Sequence, residues 1–166
     1  VLGTPCGLLD QMAMMYSTEG HCTVIDCSTF TTTHLPFPSS WMFKLVDSGI
    51  HRSLNSEDYR ETSDNETKRL HVKTENARVE TALHSTKEQL GVLLNETHQS
   101  LMAIGVSTPE VDELVQSLQN LTGVLGARMM GGGFGGMILV LVEHEGVLPQ
   151  HPVAVPSRPG FVEELF

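Results

Sequence analysis

The sequence predicts an α+β fold, with strands segregated toward the two ends of the chain and helices between them. Three observations carry that reading. β-prone runs at 21–27, 29–35 and 41–46 precede the helical patterns, and a fully apolar run, Met137–Val142, with a short β-prone run at 152–155, follows them. The strand–helix alternation that a doubly wound sheet requires is missing. The 166 residues suffice for one domain or one and a half. With 40% hydrophobic residues and 15 glycines, the apolar share is near the ordinary globular value, so the chain is expected to bury a core.

Residues 1–5 read as a loop feeding a helix over about 6–16. Leu8, Met12 and Met15 recur at helical spacing, and Leu9, Ala13 and Tyr16 form a second row, so this helix is apolar on most sides and is expected to be well buried. Glu19-Gly20 makes a turn into the strand around Thr23-Val24-Ile25, with 29–35 as its hairpin partner until Pro36 and Pro38 break the pattern. Residues 55–75 are polar and poor in large apolar groups, which suits a mobile surface segment or the polar start of a helix. Loose helical patterning runs from about Glu75 to Leu90. A clearer helix spans 93–103, with Leu94, His98, Leu101 and Met102 on one face and Gly105 as its C-terminal stop. Ser107-Thr108-Pro109-Glu110 then reads as a helix start: a hydroxyl cap, an early proline and a glutamate placed for a capping box. Val111, Leu114, Val115, Leu118 and Leu121 continue it as an amphipathic helix. No internal repeat and no heptad pattern is present.

Acids outnumber bases 20 to 10, a net charge of −10. That excludes a nucleic-acid binder relying on a basic face to neutralise phosphates. The longest strongly apolar run, Met137–Val142, falls far short of the roughly 20 residues of a membrane helix. Cys6, Cys22 and Cys27 form neither a CxxC nor a disulfide framework, which predicts reduced thiols in a reducing, cytoplasmic compartment. The eight histidines contain no HExxH or HxH, so no metal site is expected, and His98 reads as a hydrogen-bonded core histidine rather than a ligand. Asn65, Asn95 and Asn120 sit in Asn-x-Thr sequons that the cysteine usage argues against reading as glycosylated. The chain opens at Val1 in mid-pattern, so a preceding segment is expected.

Two features invite chemistry. Five of the six residues Gly131-Gly132-Gly133-Phe134-Gly135-Gly136 are glycine. Such a run permits positive φ and lets backbone approach a ligand or another backbone closely. It matches GxGxxG at Gly131, Gly133 and Gly136, but a helix precedes it and a strand follows, the reverse of a dinucleotide fingerprint. No GxxxxGK[ST] occurs. A tight packing turn is the plain alternative. Asp10 is a lone acid between Leu8-Leu9 and Met12-Ala13. It reads either as an ordinary first-turn carboxylate favoured by the helix dipole or as a general base held at a cleft.

Several stretches, taken in order, resemble one family. Pro5-Cys6-Gly7-Leu8-Leu9-Asp10-Gln11 resembles the segment around the catalytic aspartate of galactokinases. Leu94-Asn95-Glu96-Thr97-His98-Gln99-Ser100-Leu101 and Ser107-Thr108-Pro109-Glu110-Val111-Asp112-Glu113-Leu114 resemble two consecutive helices of their C-terminal domain. Gly126-Ala127-Arg128-Met129 with Gly131–Gly136 resembles their third motif. The chain thus looks like the second half of a kinase in the group that includes galactose, homoserine and mevalonate kinases.

The resemblance implies residues 1–46 as a remnant of the N-terminal catalytic domain and 47–166 as a ferredoxin-like α+β C-terminal domain bearing the glycine-rich motif. It implies ATP with Mg2+ as phosphoryl donor and the C1 hydroxyl of galactose as acceptor; the acidic charge and the short apolar runs predict no nucleic-acid or membrane partner and suit a monomer at full length. Asp10 falls on the catalytic carboxylate, and Gly7 and Tyr59 on sugar contacts. Arg128, Gly131, Gly132, Gly133, Gly135 and Gly136 fall on a loop that shapes the nucleotide cleft. The family's sugar-binding first motif and phosphate loop find no counterpart here, so the 166 residues alone are expected to be inactive. Met130 replaces a usual threonine, Met137 a common cysteine, and Arg60-Glu61-Thr62-Ser63 departs from the usual Asn-x-Arg-Arg. Met130 and the stretch after Tyr59 keep open a catalytically silent sugar sensor, and a kinase for N-acetylgalactosamine or another small molecule stays open because the residues that would choose the sugar fall mostly outside these 166.

Overall fold

A computed structural model describes residues 7–50 and 65–156. The described residues divide between Ser40 and Trp41 into two units, the second running Trp41–Ala154. The division falls ahead of the third strand rather than after it, because that strand pairs with partners from the far end of the chain.

The first unit holds helix α1 (Leu9–Tyr16) and an antiparallel hairpin of β1 (His21–Asp26) and β2 (Thr31–Pro36), with His21 opposite Pro36 and Asp26 opposite Thr31. The hairpin turn is organised by Asp26, whose Oδ1 accepts from the Ser28 N–H at 2.8 Å and Oγ at 2.6 Å and from the Thr29 N–H at 3.3 Å. These bonds hold its carboxyl down at about 2. The expectation of a well-buried first helix is corrected. Only Met12 is buried, while Leu8, Leu9, Met14, Met15 and Tyr16 are each at least half exposed. An eight-residue helix and one hairpin offer too little surface to surround a helix that is apolar on most sides.

The second unit contains β3 (Met42–Asp47), helices α2 (Asn65–Ala82), α3 (Lys87–Ala103) and α4 (Pro109–Gln119), then β4 (Val124–Met129), β5 (Met137–Val142) and β6 (Val153–Ala154). Its four strands lie in the order β4-β5-β3-β6, with every pairing antiparallel. Numbered within the unit, this is the 4-1-3-2 order of a ferredoxin-like sheet read from β6, with residues 143–152 replacing the second crossover helix. The α+β expectation therefore holds. Val46, Ala127, Met129, Ile138, Val140 and Val142 line one sheet face. They pack on Leu101 and Ile104 of the α3 end and on Val111, Val115 and Leu118 of α4. Among the described residues, no helix is long and apolar enough to cross a membrane.

Helix starts follow local chemistry with one correction. Thr108 caps α4 by accepting from the Val111 N–H, and Pro109 occupies the first turn. That makes Glu110 the second helical residue, one short of a capping-box partner. The capping box forms instead on α3, between Thr86 and Gln89. Met102 of α3 and Leu121 just past α4, both placed on apolar faces by the pattern, are 44% exposed, although Leu101, Ile104 and Leu118 beside them are buried.

Candidate active site

The chemistry-bearing part of the second unit is the connection between β4 and β5. The hairpin closes with the Met130 N–H on the Met137 carbonyl at 2.9 Å. Between them, Gly131, Gly133, Gly135 and Gly136 have φ of 72°, 97°, 127° and 87°, and Phe134 has 60°. At Gly133 a Cβ would overlap the Val106 carbonyl oxygen, and at Gly135 the Ile50 carbonyl oxygen. Positive φ and backbone contact together exclude any side chain at these two positions. Gly132 lies half-buried between Gly131 and Gly133. The turn is anchored on two sides. The Phe134 N–H donates to the Val106 carbonyl at 2.7 Å and the Gly136 N–H to the Ile50 carbonyl at 3.1 Å, while the Gly136 carbonyl accepts from Ser48 N–H at 2.9 Å. This is a bare-backbone wall whose shape is set by its neighbours.

β4 is an edge strand, and its outward backbone groups are met by side chains from the helices. Asn95 Oδ1 accepts the Ala127 N–H at 2.9 Å, Gln119 Nε2 donates to the Ala127 carbonyl at 2.9 Å, and His98 Nδ1 accepts the Met129 N–H at 3.4 Å. Gly91, Asn95 and His98 follow one helical row at i, i+4 and i+7. The glycine permits the approach: a Cβ on Gly91 would overlap the Leu125 carbonyl, and one on Gly126 the Gly91 carbonyl. The free edge of the sheet is thereby both covered and satisfied. Asn95 Oδ1 is thus committed to the backbone.

Arg128 bonds to partners outside this row. Its Nε donates to the Met129 carbonyl at 3.0 Å, and its Nη1 to Glu75 Oε1 at 3.4 Å. Glu75 also binds Arg78 at 2.8 Å and accepts from Thr97 Oγ1 at 3.2 Å. Arg128 therefore ties α2 to the root of the glycine turn. Burial pushes its pKa down while Glu75 pushes it up. A further side chain that patterning did not single out is Lys44, 1% exposed on the core face of β3. Its Nζ reaches the carbonyls of Glu145 at 2.7 Å and Leu148 at 2.9 Å, pinning the segment after β5. A lysine inside a β-prone run carries no mark distinguishing a buried anchor from a solvated side chain, so sequence reading passes over it.

In the first unit, Asp10 stands exposed in the first turn of α1, next to exposed Gly7. Leu8, at the N-cap, makes no side-chain cap bond. A Cβ at Gly7 would meet nothing within 4 Å. Tyr59 and Cys6 lie outside the described residues. Among the described residues, no group of three His, Cys, Asp or Glu side chains could hold a metal ion.

Residues 79–150 match the family described as GHMP kinases C terminal. The galactokinase of Thermotoga maritima is 32% identical over 174 residues, which cover 84% of this chain and 50% of that protein. The galactokinase of Thermococcus kodakarensis is 31% identical over 176 residues, covering 86% and 50%. Among solved structures, Lactococcus lactis galactokinase complexed with galactose aligns with a TM-score of 0.76 at 24% identity, over 93% of this chain and 56% of that one. Methanococcus jannaschii mevalonate kinase aligns with a TM-score of 0.55 at 22% identity, over 75% and 44%. The chain spans about half the length of the curated relatives it matches. The matched model and the similarity to galactokinases along most of the chain identify residues 79–150 as a GHMP kinase C-terminal domain.

Proposed function

We propose that this chain is the part of an ATP-dependent sugar kinase that carries the catalytic carboxylate and the glycine wall of the cleft. The reaction is transfer of the γ-phosphoryl group of ATP to the C1 hydroxyl of galactose. The observation that carries the reading is the glycine turn. It has two positions closed to any side chain and three of its N–H groups, those of Met130, Phe134 and Gly136, bonded within the protein. That construction suits a wall shaping the cleft more than a cradle gripping phosphate. Phosphoryl transfer depends mainly on positioning and charge stabilisation, so a fixed wall is a fitting contribution. Asp10 orients the sugar hydroxyl and takes its proton as the phosphoryl group is transferred. Mg2+ supplies charge neutralisation as a complex with ATP. The described residues do not fit it as a resident metal, since no carboxylate cluster is present among them. The setting of the reaction is cytoplasmic.

In a galactokinase-length protein carrying this chain, galactose-dependent ADP release is expected, and Asp10→Asn lowers kcat by about 10³-fold while calorimetric galactose binding is kept. The isolated 166 residues release no ADP, and turnover by them overturns the proposal that they need the rest of a kinase. Sugar and ATP binding without turnover in the longer protein replaces the kinase reading with that of a sugar sensor. Preference for N-acetylgalactosamine in the same assay replaces the substrate.

A further inference from the structure

One side chain is linked to both supports of the glycine turn, to one directly and to the other through its neighbours. His98, 3% exposed, accepts the Met129 N–H through Nδ1 at the turn's root. Accepting there requires the neutral ring with its proton on Nε2. Nε2 lies 3.3 Å from Asp112 Oδ1, close but too poorly aligned for a hydrogen bond, and has no other partner among the described residues. Asp112 Oδ1 in turn accepts from Ser107 Oγ at 2.5 Å. Ser107 follows Val106, whose carbonyl receives the Phe134 N–H and seats Gly133.

We propose that His98 is a positioning residue for the glycine turn, coupling its root at Met129 and its seat at Val106 to one titratable ring. Protonation converts Nδ1 from acceptor to donor and sets it against the Met129 N–H, while the imidazolium gains attraction to Asp112. The ring then trades a bond to the turn for one to α4, and the turn loosens at its root.

The surroundings oppose each other in a way that suits such a device. Asp112 on α4 favours the charged ring, and Glu113 lines the same cavity as His98 and Asp112. Arg128 on β4 disfavours the charged ring, and Glu75 and His71 on α2 bond Thr97 and Ser100 of α3. Burial is the dominant influence and holds the His98 pKa below its ordinary value, so the neutral, turn-bonded form prevails at neutral pH. A cavity of about 270 Å³ is bounded in part by His98, Asp112, Glu113 and Gln116. The consequence for phosphoryl transfer rests on the reading above, whereas the coupling belongs to the fold of this chain.

The test is amide hydrogen exchange followed by NMR on the 166-residue chain between pH 7.5 and 5.5, corrected for intrinsic exchange. Opening at Met129 and Phe134 is expected to rise by about tenfold per pH unit through the His98 titration, while Val115 and Val140 stay protected. In His98→Asn, whose Oδ1 still accepts but does not titrate, that selective rise disappears. Parallel opening of all four amides, no rise at the turn, or the same rise in His98→Asn overturns the proposal. If the variant does not fold, the wild-type comparison of the four amides decides it alone. Neither result depends on kinase activity, so failure here and failure of the kinase reading are distinct outcomes.

Discussion

The two units of this chain share a similar apolar content and bury it very differently. In the second unit, Val111, Val115, Ala127, Met129, Ile138, Val140, Leu141 and Val142 are wholly inaccessible, whereas in the first Met12 is the only buried apolar side chain among the described residues. The difference is architectural. Two helices laid on a four-stranded sheet enclose a layer between them, while one short helix and one hairpin have no second layer to close against. An apolar pattern states that a face needs covering but not whether the chain contains the cover.

The sharpest way to break this comparison is to remove core volume. Ile138→Ala is expected to cost about 4 kcal/mol in urea unfolding, against a change within about 0.5 kcal/mol for Met14→Ala, which is 66% exposed. Equal effects would mean that the two regions bury alike. Next comes backbone proximity. Gly91→Ala drives a methyl into the Leu125 carbonyl and is expected to cost about 3 kcal/mol. Gly20→Ala, with φ of 72° but open space around it, costs about 1 kcal/mol through strain alone. A small loss at Gly91 would show that α3 can move off β4.

The smallest effect, and the one that orders the units, is the response to acid. The folded pKa of His98 is depressed by burial, so the unfolded chain binds its proton first. The stability it contributes is complete above the unfolded value of 6.5 and is lost as pH falls through the lower folded value. Asp26 is held at about 2 against an ordinary 3.8, so its contribution is complete above 3.8 and is lost as pH falls through about 2. The second unit should therefore weaken first on acidification. Fluorescence of Trp41, the sole tryptophan, follows that unit, and amide exchange at Thr31 follows the hairpin. Loosening of the hairpin before the Trp41 signal changes would reverse the order.

Much of this was legible in residue order. The hairpin, the α4 stripe of Val111, Val115 and Leu118, the apolar strand β5 and the glycine turn all follow from short-range periodicity or local backbone demands. The motif around Asp10 marked it as a candidate carboxylate without any geometry. The capping box expected on α4 is missing because Thr108 rather than Ser107 is its N-cap, a one-residue shift within the ordinary ambiguity of a helix end, while Thr86 and Gln89 form one on α3.

By itself, then, the sequence determined most of the segments that become helix, strand or turn, because those choices are made within a few residues by spacing, capping and permitted φ; it misplaced the break between α2 and α3, which falls at 83–86 inside the run read as one helical stretch. Only the tertiary structure decided which faces are covered and what the polar side chains inside do. Gly91 and Gly126 are 35 positions apart, yet each is required by the other's backbone. His98, Asn95 and Gln119 acquire their roles only where β4 presents an unpaired edge. A buried hydrogen bond is specified by the group that would otherwise go without a partner, and when that group lies far along the chain, folding alone brings the two together.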